Sequence, residues 1–421
     1  MQARFLLGPA GSGKTFRCLA EIRAALHENS EGPPLILLAP KQATFQLERQ
    51  LLADDSPGGY TRLHIFSFER LAQFVLEALG VPKPKFLSDE GRFMVLRTLL
   101  LRHAGDLKLF RTSARRTGFA QELGTLLAEL QQHQFTPPRL RALAEENSLR
   151  RELRDKLNDL ALLSEKYTKW LEEHGLQDAN NLLDFTTAAL RDEFKIKNSK
   201  LKIEGLWLDS FAEMTPQELD LLAAVVPQCK NATLAFCLDE SDGNRSEISW
   251  LSIWSAVGKT FEQCRRRLQN LPGCELNIET LTRDSHKNRF TKNPALQQLE
   301  KNWGQSRSSA KFAIRDPQSA IAIVVCPDAG TEATFAAREI LKFVRAGNRF
   351  RDCAVIVRKL DGYHKPLARA FRRYDIPFFL DRRESVAHHP LAELTRSALR
   401  TVAFDWRQDD LFAALKSGFC A

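Results

Sequence analysis

Gly8-Pro9-Ala10-Gly11-Ser12-Gly13-Lys14-Thr15 is the stretch from which the rest of this sequence is read. It fits G-x-x-x-x-G-K-[ST], with the apolar run Phe5-Leu6-Leu7 before it as a strand and a helix-like segment from Phe16 to Leu26 behind it. In such a loop the glycines let successive backbone N–H groups turn inward, and the following helix adds the positive end of its dipole. The anion so cradled is a nucleotide polyphosphate. Gly8, Pro9, Ala10, Gly11, Ser12, Gly13, Lys14 and Thr15 are therefore the expected ATP contacts, with Lys14 reaching the β- and γ-phosphates and Thr15 holding Mg²⁺. The bland alternative is a glycine-rich strand-to-helix turn with an exposed lysine, against which the strand–loop–helix context argues. Binding ATP does not entail hydrolysing it.

Downstream, Leu35-Ile36-Leu37-Leu38-Ala39-Pro40 is a continuous apolar run of the kind a buried parallel strand shows, and a helix is expected from Thr44 to Leu52. After a loop at residues 54–59, a short strand ending at His64-Ile65-Phe66-Ser67-Phe68 leads into a helix through Leu79. Strands alternating with helices predict a doubly wound α/β sheet with its nucleotide at the carboxyl ends of the strands. From about Pro82 to Asn198 the pattern turns helical, at 89–103, 117–133, 138–145 and 148–174, as an insertion would. Two basic clusters lie in it: Arg92, Arg97, Arg102, Lys108, Arg111, Arg115 and Arg116, then Arg139, Arg141, Arg150, Arg151 and Arg154. They read equally as a DNA-tracking surface or as solvated helix faces.

The α/β pattern returns with a strand at 205–211 that carries Asp209 near its end, a helix opened by Thr215-Pro216-Gln217-Glu218, and a strand at 232–238. The polar segment from Asp239 to Lys311, with Trp250, Trp254 and a helix near 259–268, shows no site. A second α/β unit is expected from strands at 319–326, 353–358 and 376–380 and helices at 330–345 and 363–374.

A net charge of +9 favours a polyanionic partner, since cations that neutralise phosphates release condensed counterions. At 421 residues the chain has room for two to four domains, and its 43% hydrophobic content supplies their cores. No membrane-length apolar stretch or secretion signal is visible, so the expected location is cytoplasmic, with no membrane partner. The eight cysteines are scattered without a C-x-x-C pair and read as buried thiols.

The order of these motifs resembles superfamily 1 helicases of the UvrD and RecB kind. That resemblance implies RecA-like domains: a first from 1–85 plus 199–315, an all-helical insertion at 86–198, and an incomplete second from 316–421. It likens His64 to Phe68 to a motif beside single-stranded DNA, making His64, Phe66, Ser67 and Phe68 the expected DNA contacts. Alternation in a strand sends His64, Phe66 and Phe68 to one face, available for base stacking. It puts Asp209 at the position of the Mg²⁺-associated carboxylate. It also faces Arg358 toward the γ-phosphate from the second domain, against a solvent-facing reading of equal weight. Active helicases follow that Asp with Glu; here Ser210 follows, and serine is no general base at neutral pH. Loss of that function costs about 10²–10⁴ in rate. Glu213 is the weak substitute, otherwise an exposed loop acid.

Asp352-Cys353-Ala354-Val355-Ile356-Val357-Arg358, then Tyr363, then Tyr374-Asp375-Ile376-Pro377-Phe378-Phe379-Leu380-Asp381, then His389-Pro390-Leu391 is similar to the pattern of the AddB family, as is Phe211 to Glu218. That family implies an AddA-like helicase/nuclease partner that supplies the motor, contact with single- and double-stranded DNA, and an AddB chain that scans the unwound strand for Chi. It also implies a C-terminal nuclease domain with an iron–sulfur cluster. No Asp/Glu/Lys nuclease constellation follows before Ala421 and the cysteine spacing fits no cluster, so an N-terminal fragment or truncated homologue is expected. The alternatives are a working ATP-dependent helicase with an unorthodox base, and a P-loop interaction protein that binds no DNA. Ser210 argues against the first; the basic balance and the His64 to Phe68 stretch argue against the second.

Overall fold

Leu35, Ile36, Leu37 and Leu38 are all fully buried, which a strand achieves only when both faces of its sheet are covered. The computed structural model describes residues 1–53, 59–146, 148–195, 201–238, 252–282, 290, 293–302, 321–380 and 386–419. It divides into two compact units, Met1–Ala320 and Ile321–Ala421. The predicted loop at 54–58, Trp250, the expected strand start at Ser319 and Ala320, and Asp381 lie outside the described residues.

The strands of the first unit are β1 (Gln2–Gly8), β2 (Leu35–Leu38), β3 (Leu63–Phe66), β4 (Phe86–Leu87), β5 (Gln177–Asp178), β6 (Ile203–Leu208), β7 (Cys229–Cys237) and β8 (Glu275–Thr280). Six of them form one sheet in the order β3-β2-β6-β7-β1-β8, and every pairing in it is parallel. The described helices are α1 (Lys14–Glu28), α2 (Thr44–Leu52), α3 (Phe68–Leu79), α4 (Asp89–Arg102), α5 (Thr117–Gln132), α6 (Pro137–Ala144), α7 (Arg151–Glu173), α8 (Leu182–Lys195), α9 (Pro216–Val225), α10 (Ser255–Gln269) and α11 (Pro294–Asn302). On one face of the sheet, Phe5, Leu7, Ile36, Leu38, Leu206 and Phe236 pack against leucines of α3, α8 and α9 and against Phe261 of α10. On the other, Leu6, Leu35, Leu37 and Trp207 meet Cys18, Leu19 and Ile22 of α1 and Leu47 and Leu51 of α2. Each such side chain contributes about 1.5–3 kcal/mol of burial. Because all six strands run the same way, the residues that follow β1, β3 and β6 emerge along a single edge.

α4 to α7 close on a core of their own built from Leu96, Leu100, Leu123, Leu160, Leu163 and Tyr167. Its polar interior is tied by Asp178, fully buried, which accepts from Arg92 at 3.1 Å and from the Tyr167 hydroxyl at 2.7 Å. Asp159 clamps the preceding loop by accepting the backbone N–H groups of Lys108, Leu109 and Phe110. α8, which the sequence did not announce, gives Leu182, Leu183 and Leu190 to the core of the sheet. Short parallel strands β4 and β5 pair inside the stretch read as wholly helical. Of the two basic clusters, Arg92 is buried on Asp178, Arg139 lies 4.2 Å over the Phe135 ring, and Arg141 pairs with Glu165.

The second unit holds α12 (Ala329–Arg345), α13 (His364–Arg373), α14 (Pro390–Ala403) and α15 (Gln408–Lys416). The strands expected here are not formed: residues 321–326, 353–357 and 376–380 carry no ladder among the described residues. The physical reason is exposure. A parallel strand needs hydrogen-bonding neighbours and cover on both faces, whereas Val325, Ile356 and Phe379 are each more than 90% exposed. What packs is the helical pair α12 and α13, through Ala333, Ala337, Leu367, Ala370 and Phe371, with Ile376. No described helix is long and apolar enough to cross a membrane.

Candidate nucleotide site at the carboxyl ends of the strands

The loop after β1 is built so that its first glycine admits no side chain. A Cβ on Gly8 would stand 2.4 Å from Ser12 Oγ and 2.7 Å from the Leu281 carbonyl oxygen. Gly11 and Gly13 take φ of 82° and 93°, the left-handed region that glycine enters without strain. Ser12 N–H donates to the Pro9 carbonyl at 3.2 Å, closing the turn. Gly13 then caps α1, and the helix opens on Lys14 and Thr15. Lys14 is buried, with its ammonium donating to the carbonyls of Gly8 (2.6 Å) and Pro9 (2.8 Å) and lying 3.5 Å from Ser12 Oγ.

Across the loop, Asp209 follows β6 and is held in register by its own N–H on the Leu38 carbonyl. Its side chain is 3% exposed, and one oxygen, Oδ2, accepts from both Thr15 Oγ1 at 2.6 Å and Ser210 Oγ at 3.2 Å. The fold thus brings Lys14, Thr15 and Asp209 together from positions 194 residues apart. Cys18, one turn into α1, lies close enough to Asp209 that burial first, and that carboxylate second, push its thiol up to about 12.

Ser210 stands at φ 69°, rare for a residue with a Cβ. Glu213, the sequence's substitute base, is exposed in the following loop. Glu218 is engaged elsewhere: with Thr215 it forms a capping box on α9, accepting Thr215 N–H at 2.7 Å, and burial raises its pKa.

The alternation expected through Phe68 stops at Phe66. β3 ends there, Ser67 takes the N-cap position of α3, and Phe68 opens the helix facing inward, 2% exposed and edge-on to Phe211 at 5.3 Å. Ser67 is likewise buried. His64 and Phe66 remain half-buried on the edge strand and stack at 5.1 Å with 14° between their rings. Phe74 of α3 leans on both, at 5.2 Å and 5.5 Å, so the open aromatic face includes a residue that the alternation could not supply. Burial lowers the His64 pKa, leaving the ring neutral at pH 7. Arg358 belongs to the second unit, where it is exposed.

Sequence reasoning missed β8 and what it carries. Leu281, just beyond it, donates its N–H to the Leu7 carbonyl at 2.8 Å and walls the loop beside Gly8. Glu279 on β8 and Glu21 on α1 both bind Arg4, at 3.1 and 2.6 Å, and Glu21 also receives Arg17 and the Trp207 indole N–H. This network fixes α1, and hence the loop, to β1, β6 and β8. The only hint in the sequence is the i, i+4 spacing of Arg17 and Glu21.

A parallel α/β sheet with a glycine loop and a lone buried aspartate converging at its carboxyl edge defines the class. Within it, the family model "ADDB, N-terminal" matches residues 5–300, and the chain belongs to that family. It is 34% identical to the AddB-type subunit of the ATP-dependent helicase/deoxyribonuclease of Natranaerobius thermophilus, over 99% of this chain and 35% of the relative. The corresponding proteins of Desulforudis audaxviator and Moorella thermoacetica, which carry the same name, are 36% and 35% identical over 99% of this chain and 35% and 36% of theirs. The chain spans about a third of the length of these curated relatives.

Proposed function

We propose that this chain is the nucleotide- and strand-binding part of an AddB-like helicase-nuclease subunit, with little or no motor activity of its own. In this reading Gly8 to Thr15 is the P-loop of a RecA-like, superfamily 1-type domain. The observation that carries it is the 2.6 Å bond from Thr15 Oγ1 to Asp209 Oδ2 beside the buried Lys14 ammonium. A hydroxyl and a carboxylate are hard oxygen donors of the kind Mg²⁺ takes while keeping waters and phosphate oxygens as its other ligands. Thr15 and Asp209 would hold it, and the bound ion would neutralise charge on the β- and γ-phosphates. Lys14 would exchange its carbonyl partners for phosphate oxygens, and Gly8, Pro9, Ala10, Gly11, Ser12 and Gly13 would supply the backbone cradle.

Turnover needs a base within hydrogen-bond reach of the attacking water. Ser210 points back to Asp209, Glu213 is exposed and Glu218 caps α9, so none is available to the loop among these three. Single-stranded DNA is assigned to the face of His64, Phe66 and Phe74, where bases would stack. The motor would come from an AddA-like partner, in double-strand-break repair and recombination. The relatives' name supports membership of such a complex.

The test is nucleotide binding together with single-turnover hydrolysis at enzyme excess, with and without single-stranded DNA. Wild type should bind ATP with Mg²⁺ and not turn it over. Lys14→Ala should weaken binding by roughly tenfold or more, as a charge-assisted contact worth about 1.5–3 kcal/mol requires. DNA-stimulated turnover that disappears with Lys14 would make the chain a motor and overturn the reading.

A further inference from the structure

In the second unit, α12 and α13 lie side by side and leave between them a groove of about 500 Å³. One wall presents Thr331, Thr334 and Arg338, spaced i, i+3 and i+7 along α12; the other presents Pro366, Arg369, Ala370 and Arg373 of α13. α13 carries Lys365, Arg369, Arg372 and Arg373 and no acid. Its apolar side, Leu367, Ala370 and Phe371, is spent on α12.

The arginines of the groove are exposed, and no carboxylate among the described residues pairs with any of the three. The acids nearby are occupied. Asp328 accepts Thr331 N–H and Oγ1 as the cap of α12, Glu332 accepts the Tyr363 hydroxyl, and Glu339 pairs with Lys342. Asp328 therefore fills the helix N-terminus, and any anion must be held by the guanidinium groups. Arg338 is set for this: its Nε donates to the Tyr374 hydroxyl at 3.0 Å, which fixes the plane of the group and leaves its terminal nitrogens uncommitted.

Favourable placement near a helix C-terminus accounts for Arg372 and Arg373. It does not account for Arg369 in mid-helix or for Arg338 facing it from α12, because like charges gathered on one groove repel each other until an anion arrives. We infer that the α12–α13 groove binds the phosphodiester backbone of a single nucleic-acid strand. Forked guanidinium donors match phosphate oxygens, and the groove has no large apolar anchor of the kind that dominates protein–protein contacts. A duplex is too wide to enter so small a groove. The site is separate from the nucleotide loop and from the aromatic face of His64 and Phe66.

The experiment is fluorescence anisotropy of a labelled oligothymidylate against the whole 421-residue chain over a series of salt concentrations, comparing wild type with Arg338→Gln/Arg369→Gln/Arg373→Gln. Three phosphate contacts on a single strand should account for about 2 units of the slope of log affinity against log salt. The triple variant should lose that much slope and bind about tenfold to hundredfold more weakly near 0.1 M salt. Lys342→Gln/Arg345→Gln/Lys416→Gln, which removes as many exposed cations elsewhere in the unit, should change the slope by less than half as much. Repeating the comparison in a His64→Ala/Phe66→Ala background separates the two surfaces: the groove's loss should persist there. Equal slopes for the triple variant and wild type, no oligonucleotide binding by wild type, or displacement of the oligonucleotide by a poly-glutamate peptide at equal charge concentration would each overturn the assignment.

Discussion

Ser210 holds a backbone conformation that a residue with a Cβ adopts at a cost of about 1 kcal/mol, and it does so next to the buried aspartate. Its Cβ is turned so that Oγ reaches back to Asp209 Oδ2. A longer acid grafted there would start from the same Cβ, directed at a carboxylate that would repel it. Ser210→Glu should accordingly leave the single-turnover rate within tenfold of wild type. A gain of 10² or more, the size of a positioned general base, would mean that the position alone decides turnover. His64 carries a second residue-scale expectation. Burial depresses its pKa below the ordinary 6.5, so the unfolded chain binds the proton more readily than the folded one. The stability it contributes is intact above that ordinary value and is lost as pH falls through the folded value. Urea midpoints at pH 8 and pH 5 should therefore differ less in His64→Gln than in wild type, and an unchanged difference would dismiss the ring as the titrating group.

Among elements, Asp159 shows how a helix of one module organises a loop it does not adjoin. It is 2% exposed and receives three backbone N–H groups from residues 108–110. Asp159→Ala strands those donors in the helical core, and at about 1–3 kcal/mol for a buried polar group left unmade the change should cost roughly 2–4 kcal/mol in all. Asp159→Asn keeps an acceptor and should cost less than half as much; equal losses for the two in chemical denaturation would show that the clamp is not what matters. The legibility of the elements follows the same logic of local against distant causes. α2 was readable to both ends because its boundary signals lie inside its own sequence. β8 was not: Glu275-Leu276-Asn277-Ile278-Glu279-Thr280 is polar, and it becomes a strand because β1, at the far end of the chain, offers a hydrogen-bonding edge. Phe68 went astray by extending a period of two past Ser67, where the chain turns helical. The loop and Asp209 were legible because spacing and strand ends suffice to find them, whereas Phe74 enters the aromatic face only through the packing of α3 on β3.

At the scale of the whole molecule, the two units differ in what holds them together. The first buries a six-stranded parallel sheet between helices on both faces, with Phe5, Leu6, Ile36, Leu37, Leu206 and Phe236 at 2% exposure or less. The buried core of the second is Ala333, Ala337, Leu367, Ala370, Phe371 and Ile376, three of them alanines, while Ile323, Val325, Ile356 and Phe379 face solvent. Alanine returns far less burial energy than leucine or phenylalanine, and backbone without ladder bonds exchanges its amides freely. The units should therefore open at different free energies. Under native-state hydrogen exchange in rising denaturant, amides of α12 and α13 should lose protection well before those of β1, β6 and β7. The Asp159 clamp, buried in the first unit, should follow the later group. A single transition, with α12 amides protected as strongly as β6, would mean that the small core of the second unit is supported by more than its own side chains.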